Sequence, residues 1–126
     1  MQKNTVSTDK APKAIGAYSQ GVSYNGVTYF SGQIGLCPST SQMAVGIDKE
    51  LEQILKNIDG LLESQDLTRN DIIKTTIFMT DLSNFSKVNE AYEEYFDLPF
   101  PARSCVEVSA LPKDATIEIE VIAKSK

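Results

Sequence analysis

A chain of 126 residues with 41% hydrophobic and 23% charged side chains has the size and composition of one globular domain, residues 1–126, built on a single core. It contains no histidine, which excludes Ser-His and Cys-His nucleophiles, histidine metal centres and the commonest general base. A net charge of −5 opposes the sequence-independent grip on nucleic acid, which comes from neutralising phosphates with Lys and Arg.

At the N-terminus, Met1-Gln2-Lys3-Asn4-Thr5 lacks the apolar core of a signal peptide, and no run of about 18 apolar residues follows anywhere. The expected compartment is the cytoplasm, with no membrane partner. Cys37 and Cys105 have neither metal-ligand spacing nor a disulfide framework and are expected as free thiols. After this polar arm, residues 21–31 divide into two short strands around Asn25-Gly26, the pair best suited to a type I′ turn. Gly32 and Gly35 flank Gln33-Ile34, a sign of close backbone approach beyond the second strand. Residues 37–46 are expected as loop.

From Ile47 to Ser64, Leu51, Ile54, Leu55, Ile58, Leu61 and Leu62 recur at spacings of three and four, predicting an amphipathic helix. Ile72 to Met79 is rich in β-branched residues and bounded by Asn70-Asp71 and Asp81, which predicts a strand. Ser83 is placed to cap a second helix, with Phe85, Val88, Tyr92, Tyr95 and Phe96 on its buried side.

The last two strands alternate with period two, over Arg103 to Val108 and Thr116 to Ala123, around the turn residues Leu111-Pro112-Lys113-Asp114. They are expected to form an antiparallel hairpin. In that register Arg103, Cys105 and Glu107 share one face of the first strand, and Glu118, Glu120 and Ile122 one face of the second. If the faces coincide, an arginine, a thiol and carboxylates become neighbours; exposed Arg–Glu cross-strand pairing is the ordinary alternative. The expected fold class is α+β, in the order β-β-α-β-α-β-β, one sheet with two helices on one face. The other face then exposes Ile122 among charged groups, and a further subunit is the economical cover.

These residues carry a resemblance that runs in order along nearly the whole chain. Ala14-Ile15-Gly16-Ala17-Tyr18-Ser19-Gln20-Gly21, Ser31-Gly32-Gln33-Ile34, Lys74-Thr75-Thr76-Ile77-Phe78, Val88-Asn89-Glu90-Ala91-Tyr92, residues 100–108, Leu111-Pro112-Lys113-Asp114-Ala115 and Ile117-Glu118-Ile119-Glu120 resemble the Rid family of reactive intermediate deaminases, the RidA, YjgF or L-PSP group. The resemblance implies a chorismate-mutase-like homotrimer with sites between subunits. It also implies hydrolysis of 2-enamine and 2-imine intermediates such as 2-aminoacrylate, hence a 2-iminobutanoate/2-iminopropanoate deaminase acting on a small 2-imino acid.

By motif, Tyr18, Ser31, Gly32, Asn89, Arg103, Cys105 and Glu118 match the family's site positions. Arg103 can clamp the substrate carboxylate with two charge-assisted hydrogen bonds, and Glu118 can position or deprotonate the attacking water. No metal or cofactor is expected, because a protonated imine is already a strong electrophile. Tyr18 is either a hydroxyl donor or an interface side chain, Ser31 a ligand contact or a strand-end serine, and Asn89 a structural hydrogen-bonder or a ligand contact. Cys105 is read as pocket wall rather than nucleophile, since only Arg103 would lower its pKa. Ala17 and Gly35 stand where proline is frequent in the family, and the Asp97-Leu98-Pro99 link is short; all three bear on the rim of the site. Two other functions remain open on these residues: a non-catalytic carboxylate-binding regulator, for which Arg103 alone suffices, and the endoribonuclease of the L-PSP label, which acidity and missing histidine disfavour.

Overall fold

The computed structural model describes residues 2–126. Asn25 and Gly26 both take positive φ, 53° and 83°, the geometry a two-residue hairpin turn needs and glycine supplies without strain. They join β2 (Gly21–Tyr24) to β3 (Val27–Phe30) as the sequence predicts. β1 (Asn4–Val6) adds antiparallel to β2, so part of the polar arm is a strand. Only Val6 of its three residues is buried, too short a pattern for alternation to reveal.

α1 (Ile47–Ser64) occupies the predicted span and buries Leu51, Ile54, Ile58, Leu61 and Leu62. β4 (Ile72–Met79) and α2 (Phe85–Tyr95) follow, and Val88, Tyr92, Tyr95 and Phe96 are buried as expected. The capping differs from expectation. Asp81, not Ser83, caps the approach to α2: its carboxylate accepts from Ser83 N at 2.9 Å, and residues 82–84 form a short 3-10 turn first. An aspartate side chain outcompetes the serine because it sits ahead of the orphan N–H groups.

β5 (Ala102–Glu107) and β6 (Ile117–Lys124) are not a hairpin. The six-stranded sheet has the order β1-β2-β3-β6-β4-β5, so β6 lies between β3 and β4, and β5 is an edge strand. β5 pairs parallel to β4, and β6 pairs antiparallel to β4 from the other side. The β4–α2–β5 unit supplies the crossover a parallel pair requires. Residues 108–116 then carry the chain past β4, and alternation, which reports faces, says nothing about neighbours.

Both helices cover one face. Thr75, Ile77 and Met79 of β4 and Ile117, Ile119, Val121 and Ala123 of β6 are buried there against α1 and α2. The opposite face carries Tyr29 and Ile122, a cross-strand pair, with Glu118, Glu120 and Phe78 alongside. Tyr29 is 51% exposed and Val106, paired with Phe78, 45% exposed, so apolar side chains lie uncovered on that face. Among the described residues, no helix is long and apolar enough to cross a membrane.

Candidate functional site

The residues singled out from sequence fall into two groups on opposite faces of the sheet. Arg103 pairs with Thr75, which is fully buried on the helix side, so Arg103, Cys105 and Glu107 point to the helix side of edge strand β5. Glu118 pairs with Phe78 and points to the open side with Glu120 and Ile122. The expected meeting of arginine and carboxylates on one face therefore fails within a chain. Ile122 does share the glutamates' face.

Tyr18, Ser31, Gly32 and Glu118 line one cavity of about 480 Å³. Its geometry begins where the chain leaves β3. Gln33 N donates to Ile119 O at 2.8 Å and Ile119 N to Gln33 O at 3.0 Å, a bridge that lays Gly32 against β6 beside Glu118. A Cβ at Gly32 would meet the Glu118 carboxylate and push that side chain aside, so glycine lets the carboxylate lie against open backbone at the cavity. Ser31 donates its hydroxyl to Ser19 O at 2.6 Å and its N–H to Gln20 O at 2.9 Å, fixing the wall between β3 and the segment bearing Tyr18. Burial, and then the neighbouring Glu120, push the Glu118 carboxyl above the ordinary glutamate range. A carboxylate so placed is a better proton acceptor than a solvated one.

The second cavity, of about 380 Å³, is lined by Asn89, Tyr92, Glu93, Phe100, Pro101 and Arg103. Arg103 Nη1 donates to Asn89 Oδ1 at 3.0 Å, and the guanidinium lies 4.9 Å from the Phe85 ring centroid and 5.4 Å from that of Tyr92. Two aromatic faces and one amide thus hold the fork while leaving its other donors free. Asn89 faces the arginine and accepts its hydrogen bond. Burial pushes Tyr92 up to about 12, so its hydroxyl stays neutral. Cys105, two residues along β5, touches Met79 Sδ at 3.8 Å and packs on the core. Burial raises its pKa against the opposing pull of Arg103, which disfavours a thiolate nucleophile, and Cys105 is among the lining residues of neither cavity.

Four supporting residues escaped sequence reasoning. Gln20, 5% exposed, accepts from Thr8 N at 2.7 Å and donates to the carbonyls of Thr8, Ala11 and Pro12, tying the N-terminal arm to the first cavity. Glu50 of α1, 3% exposed, accepts from Thr116 N at 2.8 Å and Thr116 Oγ1 at 2.5 Å, which anchors the start of β6 two residues before Glu118. Nothing in an amphipathic helix pattern separates this glutamate from a solvated one. Lys13 and Lys113 also line the Glu118 cavity.

The chain is an α+β protein with one mixed sheet, two helices on one face, a cavity holding Glu118 beside the Gly32 backbone and a separate cavity holding Arg103. The comparisons agree. The family model described as Endoribonuclease L-PSP matches residues 8–125. The chain is 46% identical over 122 residues to the 2-iminobutanoate/2-iminopropanoate deaminase of Salmonella typhimurium, covering 94% of this chain and 95% of that protein. The structure superimposes on the conserved Rid family protein YyfA of Yersinia pestis with a TM-score of 0.95 at 50% identity, covering 98% of this chain and 99% of that one. It matches E. coli TdcF with bound serine at a TM-score of 0.92 and 40% identity, covering 98% and 99%. The chain belongs to the Rid (L-PSP) family.

Proposed function

We propose that the chain is a hydrolytic deaminase of 2-imino and 2-enamine acids, working as a homotrimer whose sites each take one cavity from each of two neighbouring subunits. The carrying observation is the division of the matched residues between two separate cavities, Glu118 in one and Arg103 in the other. Both rims expose apolar groups, Ile15 at 78%, Tyr18 at 54% and Phe100 at 51%, as surfaces that close on a partner do. Relatives named as deaminases support the same reading. A cytoplasmic location belongs to it as well.

In the assembled site, Arg103 grips the substrate carboxylate and so fixes the C=N carbon. Water attacks that carbon, Glu118 takes the water's proton and the C=N π electrons move to nitrogen. Glu118 returns that proton to the carbinolamine nitrogen, electrons of the hydroxyl oxygen form C=O as the C–N bond breaks, and the hydroxyl proton passes to the departing ammonia, which leaves a 2-keto acid and ammonium. The backbone at Gly32 and the Ser31 hydroxyl border the reacting carbon's side of the cavity. Glu118 separates this reading from a pure carboxylate binder, for which a half-buried carboxylate near an anionic ligand would be a handicap.

The test is keto acid formation from freshly generated 2-iminobutanoate with and without the protein. Acceleration supports the deaminase; an unchanged rate at micromolar protein overturns it. Sedimentation equilibrium tests the assembly, and a folded monomer at that concentration overturns the trimer.

A further inference from the structure

Within one chain the Glu118 cavity has an electrostatic problem that its own matched residues do not solve, because the Arg103 of the proposed assembled site comes from a neighbouring subunit. The chain carries a net charge of −5, the cavity's one acidic lining residue is Glu118, and the proposed substrate is an anion. At about 5 Å a carboxylate repels another by several tenths of a kcal/mol even in water, and by more where solvent is partly excluded. Arg103 lies in the other cavity, on the other face.

Two cations line the wall around Glu118. Lys13 comes from the arm that Gln20 ties down through Pro12 O at 2.8 Å, and Lys113 from the turn ahead of β6. Both are exposed, and neither joins any ion pair among the described residues, so each ammonium group is free to meet an anion. Lys113 (φ 55°) and Asp114 (φ 57°) are successive non-glycine residues in the left-handed region. Such a conformation costs about 1–3 kcal/mol per residue and persists where the surrounding structure holds it. The strained turn places Lys113 at the cavity, next to the Pro112 that also lines it.

We propose that Lys13 and Lys113 are a cationic pair that draws the anionic substrate into the Glu118 cavity and offsets the repulsion of the catalytic carboxylate. This deepens the deaminase reading and rests on it for the identity of the anion. The pair acts through local concentration and encounter, not on the reacting bonds. Its signature is a change in KM and in salt dependence at constant kcat.

The experiment compares the parent, Lys13→Met, Lys113→Met and the double variant, with Lys56→Met as a control on α1. Methionine keeps the length and apolar stem of the side chain, and both cavity positions are exposed, so folding is preserved. Two readouts are taken between low and physiological ionic strength: kcat and KM for 2-iminobutanoate, and Kd for 2-ketobutanoate, a stable anion of the same shape. In the double variant, kcat/KM is expected to fall about tenfold at low salt, with kcat held and the salt slope flattened. The Kd for 2-ketobutanoate is expected to rise in parallel, and Lys56→Met to match the parent. A double variant with the parent's KM, Kd and salt slope overturns the cationic pair and leaves the deaminase standing. A parent without turnover whose 2-ketobutanoate binding still weakens in the double variant sinks the deaminase and supports the pair.

Discussion

Arg103 and Glu118 lie on opposite faces of one sheet with β4 between their strands, Arg103 paired with Thr75 on the helix side and Glu118 with Phe78 on the open side. A reaction that needs both must draw them from different copies of the chain. Arg103→Ala and Glu118→Gln should each be inactive alone and should recover activity when co-refolded. In a cyclic trimer assembled at random from equal amounts, every mixed trimer holds one intact Arg103–Glu118 site, so activity should reach about a quarter of the parent's. Recovery at that level, measured as keto acid release, is the expected result, and none at all would place both residues in sites contributed by a single chain.

Arg103 is held by a hydrogen bond from Nη1 to Asn89 and by the rings of Phe85 and Tyr92. Arg103→Lys keeps the charge but loses the planar fork and its stacking, so kcat/KM should drop by about 10–100-fold, the worth of one or two charge-assisted hydrogen bonds. Asn89→Ala releases the fork without removing it and should raise KM several-fold with a smaller effect on kcat. Steady-state kinetics on both variants checks this, and a lysine variant with full activity would mean that charge alone suffices.

Glu118 is held above the ordinary glutamate range by burial and by Glu120. Activity that needs its ionised form should therefore fall on the acid side at a pH above the usual carboxylate range. Glu118→Gln should lower kcat by about 10²–10⁴ while 2-ketobutanoate still binds, and Glu120→Gln should retain most of the rate. Stability carries the opposite sign. A raised folded pKa means that the native state binds the proton more tightly than the unfolded chain, so stability declines as pH rises through that window. Glu118→Gln should consequently be the more thermostable protein at pH 7, with the advantage vanishing at acid pH; thermal melts at pH 4 and pH 7 measure it.

The two thiols should separate by rate. Hydrogen bonds from Ser39 and Thr40 lower Cys37 to about 6, so its thiolate dominates at neutral pH, while burial raises Cys105. Iodoacetamide at pH 7 should label Cys37 first without loss of deamination. Slower labelling of Cys105, beside Arg103 on the same face of β5, should track inactivation, and Cys105→Ser should stay active. Mass spectrometry of partially labelled protein against residual activity distinguishes the two.

The local elements were legible along the chain because their causes are local. The spacing of Leu51, Ile54, Ile58, Leu61 and Leu62 predicts α1 to its ends, and Asn25-Gly26 predicts the β2–β3 turn with its two positive φ angles. The alternation in β5 and β6 correctly sorts Cys105 from Val106 and Glu118 from Ile119, because a pleat sends successive side chains to opposite faces. Which strand lies beside which is another matter. β4 enters between β5 and β6 because its Thr75, Ile77 and Met79 complete the buried layer under both helices, a long-range packing choice that leaves no mark on either strand's own pattern. That insertion puts Arg103 and Glu118 on opposite faces and divides the candidate site into two cavities. Glu50 and Lys113 show the same limit at the scale of one residue. A charged side chain reads as solvent-facing in sequence, and only the folded chain brings Glu50 under Thr116 and Lys113 to the wall of the Glu118 cavity.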